Sequence, residues 1–158
     1  METSDGVLQG LNSYSTLGLS NFGLASPISQ KIIHHELFVS LANLDGPRNV
    51  PAVIQQLAEK TIDANCALIR GRVISGETGH VISGTPFTAF YVAAPVYWPD
   101  EFSVCEVGEM SVAFAWLVPI TNRESEFVSR FGWSAFEDRL IEAELDMCDI
   151  NRKELPEV

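Results

Sequence analysis

The chain has 158 residues, 46% of them hydrophobic and 20% charged, the profile of one globular domain rather than of a disordered segment. Its 21 acidic residues against 10 basic ones leave a formal net charge of −11, which repels phosphate backbones and argues against nucleic-acid binding. The same charge would speed encounter with a basic protein partner.

In chain order, "METSDGVLQG" is polar and acidic, unlike a secretory signal with its basic start and apolar run. Residues 1–25 read as a polar N-terminal segment with a candidate first strand at Tyr14 and Thr16, ended by Gly18 and Asn21. Residues 26–158 read as the main domain. "KIIHHELFVSLA" (31–42) predicts a strand, with Ile33, His35, Leu37, Val39 and Leu41 on one face. Asp-Gly-Pro then breaks the chain. Val50, Val53, Ile54, Leu57, Ala58 and Ile62 recur at helical spacing behind Pro51, which predicts a helix over 50–64. "VISG" occurs twice, at 73–76 and 81–84, around a Gly-Glu-Thr-Gly turn. Two copies do not make a repeat architecture, so a loop or small hairpin is expected. A strand is expected near 86–93 and another near 111–119. The second is apolar on both faces and therefore central. Thr121 and Glu124 form a capping box that opens a helix over 122–131, closed by Gly132. A second capping box, Ser134 and Glu137, predicts a helix over 135–147. The order of elements favours an α+β domain with a mostly antiparallel, mixed sheet packed against helices.

Few residues suggest chemistry. His34, His35 and Glu36 carry metal-ligating atoms, but neighbours in a strand point to opposite faces. Only His34 and Glu36 share a side, and His80 is the one other histidine. No metal and no cofactor are expected. "GRVISGETGHVIS" lacks the G-K-[ST] of a phosphate loop, and Ser20 in "GLSNFG" is not in a nucleophile elbow. The acids around Cys105 would raise its thiol pKa, the wrong direction for a nucleophile. No catalytic residue is expected. Cys66, Cys105 and Cys148 are too widely spaced for a metal or redox motif and read as free thiols in a reducing, cytoplasmic setting. The apolar run at 112–120 is about half the length needed to span a bilayer.

One stretch reads as a binding surface. "APVYWPDEFSVCEVGE" (94–109) interleaves Tyr97 and Trp98 with Asp100, Glu101, Glu106 and Glu109, and it contains no basic residue. Aromatic anchors beside acids suit a partner rich in Lys or Arg. The competing reading has the aromatics plugging the core from a loop while the acids face water.

"STLGLSNFG" (15–23), "HELFVSLA" (35–42), "VPAVIQQLAEKTIDANCAL" (50–68), "AFYVAAPVYWPDEF" (89–102) and "VAFAWLVPITNRESEFVSRFGWSAFEDRL" (112–140) resemble, in that order, the Suppressor of Fused-like domain. Family members usually carry more sequence ahead of the "T-x-G-x-S" strand than the fourteen residues that precede Ser15 here. The resemblance implies a Suppressor of Fused-like α+β fold and a non-enzymatic protein-binding role. The family's animal relative sequesters a transcription factor, and its stand-alone bacterial relatives resemble immunity proteins that neutralise a toxin. The expected partner is therefore a protein, with a basic toxin domain as the candidate. The alternative is a small-molecule enzyme or ligand-binding domain built from unremarkable residues around the aromatic loop.

Overall fold

The computed structural model describes residues 10–77 and 79–156, so the first nine residues of the polar N-terminal segment lie outside it. Strands β1 (Leu11–Ser15), β2 (Leu24–Ala25), β3 (Ile32–Ala42), β4 (Val73–Ser75), β5 (Ala89–Ala93), β6 (Val104–Val107) and β7 (Met110–Ile120) form one sheet. Helices α1 (Val50–Asp63), α2 (Asp100–Ser103), α3 (Asn122–Phe131) and α4 (Trp133–Glu142) connect and cover it. The main path is β1-β3-β7-β5-β4, with β2 on β3 and β6 on β7. Only the β3–β7 pair is parallel among the described strands. This is the mixed α+β sheet that the order of elements predicts, and no described helix is long and apolar enough to cross a membrane.

The long strands lie within a residue or two of their expected places, and each face of the sheet has its own core. Leu37, Val39, Leu41, Phe90, Val92, Ala115 and Leu117 point toward α1, where Val50 and Ile54 meet them. Phe38, Tyr91, Trp116, Val118 and Ile120 point the other way, toward Val128 of α3, Phe136 of α4 and the loop after β5. Residues 35–41 of β3 are therefore buried without interruption. That corrects the half-buried pattern expected from its alternation, because both faces are covered.

Proline 119 sits inside a central strand, where it would ordinarily cost a ladder hydrogen bond. Its neighbour Ile120 turns its carbonyl to β5 and accepts from the Thr88 N–H at 3.0 Å. Successive carbonyls alternate sides along a strand, so that of Pro119 faces away from β5 and accepts from Arg152 instead, at 3.0 Å.

Several local expectations are corrected. The first strand stops at Ser15, since the Thr16 hydroxyl is taken by Glu36 and accepts from the Leu37 N–H. The two "VISG" copies do not pair with each other. Val73–Ser75 pairs with β5, while Val81 and Ile82 are buried in the α1-side core without joining a strand. The strand expected from residue 86 begins at Ala89. The Thr121–Glu124 capping box is present in full, but no second box forms. Gly132, at φ 88° and ψ 163°, separates α3 from α4 directly, a conformation open to glycine and costly for other residues. Ser134 thus falls inside α4. That helix ends at Glu142 rather than 147, because Glu144 turns left-handed (φ 50°) and residues 145–150 run back to the sheet. There the Ala42 N–H donates to the Cys148 carbonyl at 2.8 Å.

Candidate functional site

The segment between β5 and β7 carries the residues singled out in the sequence, and it divides sharply by chemistry. Asp100 and Glu101 occupy the first turn of α2, where their charge suits the helix N-terminus. Glu106 lies on β6 and Glu109 in the two-residue turn after it, with Gly108 left-handed at φ 64°. All four acids are exposed, and so is every residue of β6. The Ser111 hydroxyl donates across the hairpin to Glu106 at 2.7 Å. The sequence missed β6 because "VCEV" has no buried face to impose a pattern.

The aromatics face inward. Trp98 packs edge-on against Phe38 and Trp116 at ring separations of 5.0 and 5.1 Å. Phe102 stacks on Phe114 at 4.8 Å. The Tyr97 hydroxyl donates to the Leu145 carbonyl and accepts from the Met147 N–H, both at 3.3 Å. Burial, with Asp146 nearby, pushes the Tyr97 pKa up. Tyr97 and Trp98 are half-buried plugs of the aromatic core, and the four acids are exposed to solvent.

Beside this loop the chain leaves a groove of about 400 Å³ between α4 and the sheet. Its wall is apolar: Ala93, Tyr97, Trp116, Val118, Leu140 and Leu145. Val96 and Ile141 stand at its mouth, 70% and 74% exposed. One end is polar. Glu137 accepts from Arg70 Nε at 3.0 Å and from the Tyr91 hydroxyl at 2.7 Å, and the Arg70 guanidinium lies 4.8 Å over the Trp133 ring. Burial alone would raise the Glu137 pKa, but the hydrogen bonds from Arg70 and Tyr91 hold it below the usual carboxylate range. Burial and the adjacent carboxylate push Tyr91 upward. The sequence reading assigned Glu137 to a cap and missed this cluster. The available signal was Tyr91 itself, a hydroxyl in an apolar strand that needs a partner once buried.

The remaining candidates are engaged internally. Glu36, 6% exposed, accepts from the Thr16 and Ser20 hydroxyls and from the Gly18 and Ser20 N–H groups. Burial pushes its pKa up, and those four donors more than offset it, leaving the carboxyl below its ordinary value. Ser20 is therefore a ligand of Glu36, and the Ser20 carbonyl accepts from His34 Nδ1 at 2.8 Å. The Leu68 N–H donates to Nε2 of buried His35, and burial lowers that imidazole's pKa. His80 lines a different hollow, next to α1 and β4. No group of three or more metal-ligating side chains occurs among the described residues. The three cysteines are free thiols, with Cys148 buried and pushed up to about 12.

Comparison with known proteins adds the lineage. The family model of Suppressor of fused protein (SUFU) matches residues 4–153. The immunity protein YqcF of Bacillus subtilis (strain 168) is 22% identical over 154 residues, covering 97% of this chain and 79% of that protein. Among solved structures, a putative SUFU homologue from Neisseria gonorrhoeae FA 1090 superposes with a TM-score of 0.72 at 22% identity, over 92% of this chain and 71% of that one. The Sufu–Fu complex gives 0.65 at 17% identity, over 89% and 68% of the respective chains.

Proposed function

We propose, from the premise that this chain belongs to the Suppressor of fused protein (SUFU) family, that it is a non-enzymatic protein-binding module that neutralises or sequesters a basic partner. A toxin domain in the cytoplasm of the producing cell is the partner class this reading favours. The similarity to an immunity protein supports a protein-interaction role, and the structure of a relative with a protein bound supports it further. The observation that carries the finer reading is the acidic hairpin. Asp100, Glu101, Glu106 and Glu109 are all exposed on one short supersecondary unit that carries no base.

In this reading the four acids steer the partner and make rim contacts, while Tyr97 and Trp98 hold the loop in shape and act as half-buried anchors. Rim charges mainly set the association rate, and desolvated aromatic anchors mainly set the lifetime of the complex. The test measures binding of the purified protein to the products of neighbouring genes, and compares it with that of a D100K/E101K/E106K/E109K variant. Association should slow at least tenfold on reversal, and should slow with added salt in the parent. If binding is insensitive both to salt and to the reversal, the acidic-face assignment is wrong. A protein that binds no neighbouring gene product but is stabilised by a small metabolite would overturn the protein-binding reading itself.

A further inference from the structure

We propose that the groove between α4 and the sheet is a socket for one large apolar side chain of a protein partner, presented on a segment with Lys or Arg beside it. The proposal rests on the protein-binding reading above and names a second contact that the acidic hairpin does not supply. Three observations select this occupant. The wall is aliphatic and aromatic, and its mouth holds Val96 and Ile141 largely open to water, an arrangement more typical of an interaction site than of inert surface. The polar end is already satisfied, because Glu137 is held by Arg70 and by the Tyr91 hydroxyl. A polar ligand would therefore gain little there. Arg70 is the one cation among the lining residues and is tied to Glu137, so exposed Glu144 leaves the rim acidic.

Charge also decides between partners. A second copy of this chain carries the same −11 and is repelled, whereas a base flanking an apolar anchor would meet Glu144. The location fits as well. Tyr97 lines the groove, and three residues later Asp100 begins the acidic unit. A partner lying across this loop reaches both.

The test measures amide chemical-shift changes in the whole protein on titration with two synthetic peptides, acetyl-Gly-Lys-Lys-Trp-Lys-Lys-Gly-amide and its Trp→Ala counterpart. The Trp peptide should bind at least tenfold more tightly and should shift amides of residues 93–97 and 140–145. Val96→Asn with Ile141→Asn, both at exposed positions that leave net charge and fold intact, should reduce the Trp preference to about twofold or less. Equal binding of the two peptides, or shifts confined to 100–109, would overturn the socket. The acid-reversal test with the genuine partner would still stand on its own. Binding of N-acetyl-tryptophanamide as tight as that of the Trp peptide would make the groove a small-molecule site. Dimers in sedimentation that the double variant abolishes would make it a self-interface. Either result overturns the proposal.

Discussion

Replacing Arg152 with Met should be the most damaging single surgical change in the tail of this protein. The Arg152 and Glu124 side chains are 2% and 1% exposed and meet through two N–O contacts of 2.7 Å each. Arg152 also donates to the carbonyls of Pro119 and Lys153, at 3.0 and 3.1 Å, and its guanidinium lies 5.0 Å over the Phe87 ring. Glu124 further accepts from the N–H groups of Thr121 and Leu155, at 2.9 and 3.0 Å. The pair thus joins β7, the start of α3 and the C-terminal tail. Met fills much of the same volume but leaves a buried carboxylate with two backbone donors and no cation. Removing one partner of a buried pair costs about 3–5 kcal/mol, a large share of the roughly 5–15 kcal/mol that stabilises a domain. With a urea slope of about 2 kcal/mol/M, the unfolding midpoint should fall by about 2 M. Fluorescence of buried Trp116 provides the signal. Glu124→Leu should cost a similar amount, and the double variant should cost at least about 2 kcal/mol less than the two single changes added together. The loss should persist in 1 M NaCl, because salt screens buried pairs far less than exposed ones. An R152M protein within about 1 kcal/mol of the parent would refute this reasoning, as would strict additivity in the double variant.

Three further outcomes are expected. Gly71→Ala should lose about 1–3 kcal/mol in the same urea assay, because φ is 92° and the new Cβ would sit 2.6 Å from Trp133 Cγ; a neutral result would refute both the backbone strain and the clash. Glu36→Gln should cost about 1.5–3 kcal/mol at pH 7, as hydrogen bonds to a charged group are lost. The Glu36 carboxyl titrates lower in the folded protein than its ordinary 4.5, so its contribution is complete above that value and fades as pH falls through the folded value. The gap between parent and variant should therefore narrow by pH 3, and an unchanged gap would exclude the charged cradle. Tyr91→Phe should lower stability by about 1–3 kcal/mol and raise the Glu137 pKa, read by carboxyl carbon NMR, since one of its two donors is gone; an unmoved Glu137 would mean that Arg70 alone holds it.

Legibility from sequence followed the range of the interactions. β7 and α3 were readable because their causes are local: an apolar run on both faces, then Thr121 and Glu124 three apart, then Gly132. The second cap failed although its letters are as good, since the chain needed its helix to begin immediately after Gly132, and Glu137 was claimed by Arg70 from 67 residues away. The "VISG" copies show the same limit. Identical tetrapeptides meet different neighbours, β5 in one case and the α1-side core in the other. The four acids were legible as exposed candidates because charge seeks water. The inward orientation of Tyr97 and Trp98 was legible only as the competing reading, since it depends on Phe38 and Trp116 from two other strands. The groove was invisible because its walls come from segments between residues 70 and 147 that meet only in the fold.

Net charge alone does not concentrate acidity on one face, and the fold explains why these four acids stand together without a base. At physiological ionic strength, exposed charges are screened over about 8 Å, so an approaching partner senses a patch rather than the whole −11. Much of the chain's basic complement is held in local pairs: Arg48 with Asp45, Lys60 with Glu77, Arg70 with Glu137, Arg123 with Glu154, Arg139 with Glu142 and Arg152 with Glu124. Each of these neutralises an acid on α1, α3, α4 or the loops and tail around them. No basic residue occurs between Arg72 and Arg123 apart from His80, which lies beside α1 and β4. The segment from α2 through β6 to the turn before β7 therefore keeps all four of its acids without a basic residue in its own stretch of chain. If the field of this unit guides association, moving a base into it should weaken steering as effectively as removing an acid. Cys105, exposed on β6 between two of those acids, is the position at which a single Cys105→Lys change would show it. The association rate should fall, and its salt dependence should flatten, while the stability of the fold stays unchanged.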